Sequence, residues 1–298
     1  MAGTQLKKRV MTDTTVHSVP NSSGTNAPKL KAPANAADCH IHIYDARFQP
    51  PVGKPLHGTV ADYRLLQQRI GVSRVVIVQP RNYATDNSVT VDAIKQLGIE
   101  NARGIAVLHP TVTEPELKRL NEAGIRGIRF TLGNAKHAVV SIDMIEPLAK
   151  LIAPYGWHVQ LNMDPQQVID SAAMLKRLPT GIVFDHMGKP PMPAGINHES
   201  HKVIRSLIDA GRAWVKISGA YIVSEIGAPT YADATKVARE FVRAVADRAV
   251  WGSDWPHPGP QVHPDDALLF DLLSVWAPDE KVRNKILVDN PKTLYGFA

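Results

Sequence analysis

The chain has 298 residues and a formal net charge of +6, from 34 Lys and Arg against 28 Asp and Glu. Five of the cations (Lys7, Lys8, Arg9, Lys29, Lys31) and one anion, Asp13, fall in residues 1–36, so 29 cations face 27 anions in the body, too small an excess for a polyanion-binding surface. At 44% hydrophobic and 21% charged the chain is ordinary for a globular protein, no apolar run approaches the ~20 residues of a membrane span, and a lone cysteine, Cys39, excludes an internal disulfide or a multi-cysteine metal site.

Residues 1–36 are rich in Ser, Thr, Asn, Pro and Ala and follow neither a helical nor a strand period, which predicts a flexible N-terminal tail. Lys7-Lys8-Arg9 is followed by Val10-Met11-Thr12-Asp13 where a secretory signal needs an apolar stretch, so a cytoplasmic protein is expected. From Asp38 onward a short apolar, β-prone run alternates with a polar loop and a helical stretch. The eight runs are Asp38–Asp45, Ser73–Pro80, Ala102–Pro110, Gly124–Gly133, Trp157–Asp164, Gly181–Lys189, Ala213–Tyr221 and Ala249–His257. Between the fifth and sixth, Val168, Ala172, Leu175 and Leu178 give a helical 3–4 spacing over Pro165–Leu178. Eight βα units in about 260 residues predict an α/β fold, a single (β/α)8 TIM barrel over 37–298. A doubly wound open sheet is the alternative, weakened by the absence of a G-x-G-x-x-G or Walker loop.

Barrels of this kind place their chemistry at the C-terminal strand ends. His40 and His42 share a face of the first strand by its two-residue period. Arg81 and Asn82 follow strand two, Arg129 lies on strand four, Gln160 and Asn162 on strand five, Asp185-His186 on strand six, and Asp254-Trp255-Pro256-His257 on strand eight. Imidazoles from two strands and a carboxylate from a third can polarise a carbonyl and activate water. Each has a plainer reading: a strand histidine can be structural, and Asp254 could cap a helix, although Pro256 and Pro258 stand in its way. Cys39 alternates with the histidine pair and is expected to face the helical layer as a core residue. Arg126 is assigned a packing or ion-pair role and His109 a structural one. His57, His137, His198, His201 and His263 fall in loops or helices and are expected to be solvated.

The stretches DCHIHIYD, FDHMGKP and WGSDWPHP, with the loop QPRNYATDN and the terminal VDNPKTLYGF, resemble the amidohydrolase superfamily. The resemblance covers roughly residues 36–298. It is to the branch that holds 2-pyrone-4,6-dicarboxylate lactonase, sulfomuconolactone hydrolase and D-galactarolactone isomerase. It implies a hydrolase of aromatic catabolism in which His40, His42 and His186 polarise a lactone carbonyl and Asp254 is the base on water. The isomerase pattern lacks the first histidine and the strand-eight aspartate, both present here, so the resemblance favours hydrolysis. Two anion-binding arginines of the dicarboxylate lactonase pattern are replaced, by Ala135 next to Lys136 and by Tyr221, while Arg81 is added. The expected partner is therefore a small carboxylated lactone, the pyrone dicarboxylate itself being disfavoured, held by Arg81, Arg129, Asn82, Gln160, Asn162 and Tyr221, with no nucleic acid and no membrane.

Strand four ends in Thr131-Leu132-Gly133, without a lysine bridge, and His158 lies at the start of strand five, which speaks against two metals. No cofactor is expected to be required. The alternative is one divalent metal such as zinc on His40, His42, Asp254 and His186, which would suit a decarboxylase or C–C hydrolase of the superfamily. A sugar-lactone isomerase and a catalytically silent scaffold are the remaining readings.

Overall fold

The computed structural model describes residues 18–53, 56–133, 138–259 and 263–298. Eight parallel strands follow one another around a barrel in chain order: β1 Ala37–Ile41, β2 Arg74–Val78, β3 Ala102–Ala106, β4 Ile125–Thr131, β5 His158–Asn162, β6 Ile182–Phe184, β7 Ala213–Ile217 and β8 Ala249–Trp251. Each coincides with part of a run expected from the sequence, in most cases its N-terminal part, and β1 starts one residue before its run. The flanks of those runs serve as loops, because the strand ends carry polar groups that the ladder cannot pair.

Helices fill the crossovers: α1 Val60–Ile70, α2 Ser88–Leu97, α3 Glu114–Glu122, α4 Ile145–Ile152, α5 Pro165–Asp170, α6 Ala172–Arg177, α7 Glu199–Asp209, α8 Ala220–Val223 and α9 Ala232–Val245, with α10 Asp266–Trp276, α11 Glu280–Asn284 and α12 Asn290–Tyr295 after β8. Their apolar stripes pack on the outward strand residues, as Val60, Tyr63, Leu66 and Ile70 of α1 do. The helix expected over Pro165–Leu178 is two short helices meeting at Ser171, whose amide still bonds Gln167 O at 3.0 Å.

The seam between β1 and β8 is closed by the segment beyond β8. His42 N donates to Trp255 O and Asp254 N to His40 O, both at 2.8 Å, and Ile41 bridges Trp255. Gly252 makes this approach possible, since a Cβ there would stand 2.6 Å from His40 Cβ.

Cys39 departs from its expected place. The β1–β2 register slips between Asp38 and Ile41, so three residues of β1 span two of β2 and the alternation breaks. Cys39 therefore packs inside the barrel with Val76, Val78, Ile105, Trp214 and Val250. Its role as a core residue stands. Tyr295 and Phe297 join the same cluster from the C-terminal segment, while Arg103 donates from Nε to Tyr295 O at 3.1 Å and Arg74 from Nη2 to Ala298 O at 2.6 Å. Arg126 bonds the carbonyls of Asn121 and Ile125, the packing role expected of it.

The N-terminal segment also departs from expectation. Residues 1–17, with Lys7-Lys8-Arg9, lie outside the described residues, but 18–36 are laid against the barrel. Val19 is buried, Pro20 O accepts from Trp255 Nε1 at 2.8 Å, Asn26 O accepts from Arg69 Nε at 2.9 Å, and Asp271 accepts from the amides of Lys29 and Leu30. This polar strip is held by hydrogen bonds from side chains on the helices, which an argument from apolar content does not count. Among the described residues no helix is long and apolar enough to cross a membrane.

His158, at the start of β5, is buried against Tyr295 with its Nε2 unbonded among the described residues. Burial, with Lys216 adding to it and Asp185 opposing, pushes its imidazole down to about 3. The unfolded ring, near 6.5, takes up a proton first, so this residue leaves stability intact above pH 6.5 and removes it as pH falls towards 3. At pH 5 the loss is about 2 kcal/mol. The stability gap between wild type and His158→Asn, followed by urea unfolding, is expected to shift in the variant's favour by that amount between pH 7.5 and 5.

Candidate active site

At the C-terminal rim a cavity of about 480 Å³ is lined by His42, Tyr44, Arg81, Asn82, Arg129, Asn162, His186, Lys189, Tyr221 and Asp254, among others. His40 lies directly beneath, fully buried. Three Nε2 atoms converge on one oxygen: Asp254 Oδ1 is 3.4 Å from His40, 3.6 Å from His42 and 3.8 Å from His186, and the first two Nε2 atoms are 3.3 Å apart. The four side chains brought together by sequence reasoning thus meet at one point.

Local backbone explains the convergence. His186 and Asp254 follow β6 and β8 in left-handed conformation, at φ +49 and +68, which turns their side chains back over the barrel mouth. Gly219, after β7, leaves room for His186, since a Cβ there would lie 2.7 Å from its Nδ1. The outer ring nitrogens are anchored. His42 Nδ1 is 2.8 Å from Val78 O, and a carbonyl only accepts, so in the neutral ring Nδ1 carries the proton and Nε2 presents a lone pair. His186 Nδ1 meets Ser218 Oγ at 3.0 Å.

Beneath the histidines lies a buried core of charged groups built around Lys216, to which the sequence assigned no role. Lys216 of β7 is fully buried, and its Nζ donates to Cys39 O and Gln160 Oε1 at 2.8 Å and stands 3.4 Å from His40 Nδ1. Asp185 Oδ2 accepts from Arg129 Nε at 3.2 Å and Gln160 Nε2 at 3.1 Å. Burial raises the Asp185 carboxyl, but His40, Lys216 and Arg129 outweigh it and hold it well below the usual carboxylate range. Burial and Lys216 drive His40 well down against the pull of Asp185 and Asp254, so its ring is neutral at ordinary pH. Burial also lowers His186, and lowers Lys216 to about 8. Asp254 is raised by burial and lowered further by His186, His42 and His40, which leaves an ionised base.

Of the expected binding residues, Arg81, Asn82, Arg129, Asn162 and Tyr221 line the cavity. Gln160 does not: it is fully buried in the charge core, where its amide joins Lys216 to Asp185. Its strand parity is right, but it sits one step too deep to reach a ligand. Gln79 donates to Ala84 O and Asp86 O and pins the loop that presents Arg81 and Asn82. Ala135, Lys136 and His137 lie outside the described residues. His201, expected to be solvated, is buried with Nε2 2.9 Å from a Glu240 oxygen. His109 meets Val139 O at 2.8 Å. Lys216 and Lys189 were missed; the signal for Lys216 was a lone cation in the apolar run AWVKISG, two residues from Ser218 and so on the inward face.

His40, His42, Asp254 and His40, Asp185, His186 each form a group that could hold a metal ion. The donor chemistry fits: separations of 3.3–3.8 Å match the ~3.4 Å edge of a tetrahedron with bonds near 2.1 Å, and the outer nitrogens of His42 and His186 have the oxygen partners that ligating imidazoles use.

A (β/α)8 barrel with a histidine–aspartate centre at its C-terminal rim defines a class of hydrolytic enzyme. A family model for amidohydrolases matches residues 37–297, and the chain belongs to that family. It is 33% identical to a 2-pyrone-4,6-dicarboxylate hydrolase of Comamonas testosteroni over 90% of this chain and 92% of that protein. It is also 33% identical to a 4-sulfomuconolactone hydrolase of Rhizobium radiobacter over 89% and 91%. An Agrobacterium tumefaciens protein solved without ligand superposes with a TM-score of 0.84 at 30% identity, over 93% of this chain and 99% of that one.

Proposed function

We propose that the protein hydrolyses the ring ester of a small carboxylated lactone. The observation that carries this reading is the meeting of Asp254 Oδ1 with three imidazole Nε2 atoms under a cavity that Arg81 and Arg129 also line. Hydrolysis of an ester needs a proton taken from water and stabilisation of the oxyanion. Asp254 is the base. His40, held at Nδ1 between Asp185 Oδ1 at 3.3 Å and the Lys216 ammonium at 3.4 Å, turns Nε2 towards the base, with His42 and His186 beside it, so that the three imidazoles surround the place of the carbonyl oxygen. The proton held by Asp254 returns to the departing ring oxygen. The guanidinium forks of Arg81 and Arg129 hold the substrate carboxylate, and Lys189 adds a cation to the same wall. The relatives named for pyrone and muconolactone hydrolysis support a lactone substrate.

A divalent metal such as zinc would be held by His40, His42, His186 and Asp254 and would supply Lewis acidity at the carbonyl. The buried Lys216 cation beside His40 favours a centre that works on its own side chains. Purified protein, treated with a chelator, is expected to open at least one member of a panel of 2-pyrone-4,6-dicarboxylate, 4-sulfomuconolactone, muconolactones and sugar lactones. No ring opening across the panel, with or without added zinc, would sink the proposal. Stoichiometric zinc, with activity lost on its removal, would instead favour the metal-dependent decarboxylase or C–C hydrolase reading.

Arg81→Ala is expected to raise KM for a carboxylated lactone about tenfold or more while kcat changes little, as loss of a hydrogen-bonded charge contact does. A panel of lactones with and without the carboxylate checks this, since the uncharged member should not respond.

A further inference from the structure

Tyr221 stands where the dicarboxylate lactonase pattern has an anion-binding arginine, and its hydroxyl is turned to the base. Tyr221 Oη donates to Asp254 Oδ2 at 2.5 Å, the carboxylate oxygen that the histidines do not share. Behind it His257 Nδ1 stands 3.0 Å from the same hydroxyl, and His257 Nε2 meets the two oxygens of Asp266 at 3.2 and 3.1 Å. His257 and Asp266 are both fully buried, and neither lines the cavity.

We propose that Tyr221, His257 and Asp266 form a positioning chain that fixes the Asp254 carboxylate, with Oδ2 tied back so that Oδ1 faces the imidazoles. The inference rests on Asp254 being the base of the proposed reaction. Three features of the fold build the chain. Asp266 opens α10, where the positive end of the helix favours its carboxylate. The tight turn Asp254-Trp255-Pro256-His257, closed by His257 N to Asp254 O at 2.9 Å, sets the histidine beside its own base. Gly219 admits the short helix α8 that delivers Tyr221. Asp254 lies at φ +68, a left-handed conformation that non-glycine residues rarely adopt and that the surrounding structure has to maintain. Asp185 is held differently, by Arg129, Gln160, Lys216 and His40 directly.

The chain makes Tyr221 a residue that acts through Asp254, where the sequence pattern suggested a contact to substrate. Tyr221→Phe keeps the ring and removes the tie; Asp266→Asn weakens the chain from outside the cavity, with His257→Gln as the second variant should Asp266→Asn fold poorly. On the first lactone the wild type opens, each is expected to lower kcat about 10- to 100-fold, the range for losing a hydrogen bond to a charged group, with KM within about twofold. Tyr221→Phe combined with His257→Gln should lose no more than the worse single variant, since both break one chain. Crystal structures of wild type and Tyr221→Phe supply a readout that needs no substrate: the Asp254 carboxylate is expected to rotate away from the three Nε2 atoms. A raised KM with kcat intact, additive losses, or an unmoved carboxylate in Tyr221→Phe would overturn the chain. The two ideas are separable: no ring opening across the panel sinks the proposed function, full turnover in Asp254→Asn removes Asp254 as the base and the chain with it, and an inactive Asp254→Asn beside normal turnover in Tyr221→Phe and His257→Gln overturns the positioning chain alone.

Discussion

Asp254→Asn is expected to lower kcat for lactone opening by about 10²- to 10⁴-fold, the usual contribution of a positioned general base, with KM little changed. The substitution is close to isosteric, so Tyr221 keeps its neighbour and the turn to His257 keeps its backbone bonds. What disappears is the only function an amide cannot supply, acceptance of a proton from water. The three imidazoles are held by Val78, Ser218 and Lys216 independently of Asp254, so the rest of the site stays assembled and a residual rate above the uncatalysed one is expected. Steady-state kinetics on a panel substrate checks the prediction. A kcat within threefold of wild type would remove Asp254 from the chemistry.

Lys216→Met is expected to destabilise the fold by about 3–5 kcal/mol, the cost of leaving a buried charge without its partner. Removing the ammonium takes a donor from Cys39 O and from Gln160 Oε1, and leaves Asp185 with Arg129 as its only full counter-charge among the described residues. Methionine fills most of the volume, so little of the loss comes from a cavity. Urea unfolding should show a lower midpoint at unchanged slope. A midpoint equal to that of wild type would mean the Lys216–Asp185 pair contributes no net stability.

Much of this organisation was legible in the sequence because parallel strands are buried on both faces and read as short apolar runs. The two-residue period then carried His40 and His42 to the rim, and the order of strands supplied His186 and Asp254. The same period failed at Cys39, where a bulge of one residue reverses the facing and leaves no mark in composition. Gln160 shows the complementary limit: parity gives the inward side of a strand but not the depth along the barrel axis. Lys216 was passed over because lysines are seldom buried, and its meaning comes from Asp185 and Gln160, 31 and 56 positions earlier in the chain. His257 and Asp266 become part of the site only through Tyr221, a contact made by the tertiary fold. Residues 18–36 mislead in the opposite way, since a segment poor in apolar groups can still be ordered by arginine and aspartate side chains reaching out to its backbone.

The seam of the barrel has a kinetic consequence. The backbone hydrogen bonds that join β1 and the residue after it to the segment beyond β8 are made by His40, His42 and Asp254 themselves, with Trp255 as the fourth partner, beside the side-chain bonds of Ser253 to Asp38. Closure of the sheet and assembly of the catalytic groups are then one event, and a barrel opened at this edge is an inactive one. The amide hydrogens of His42 and Asp254 should exchange with solvent at the rate at which the enzyme transiently loses function, so that two backbone protons report on inactivation before any helix unfolds.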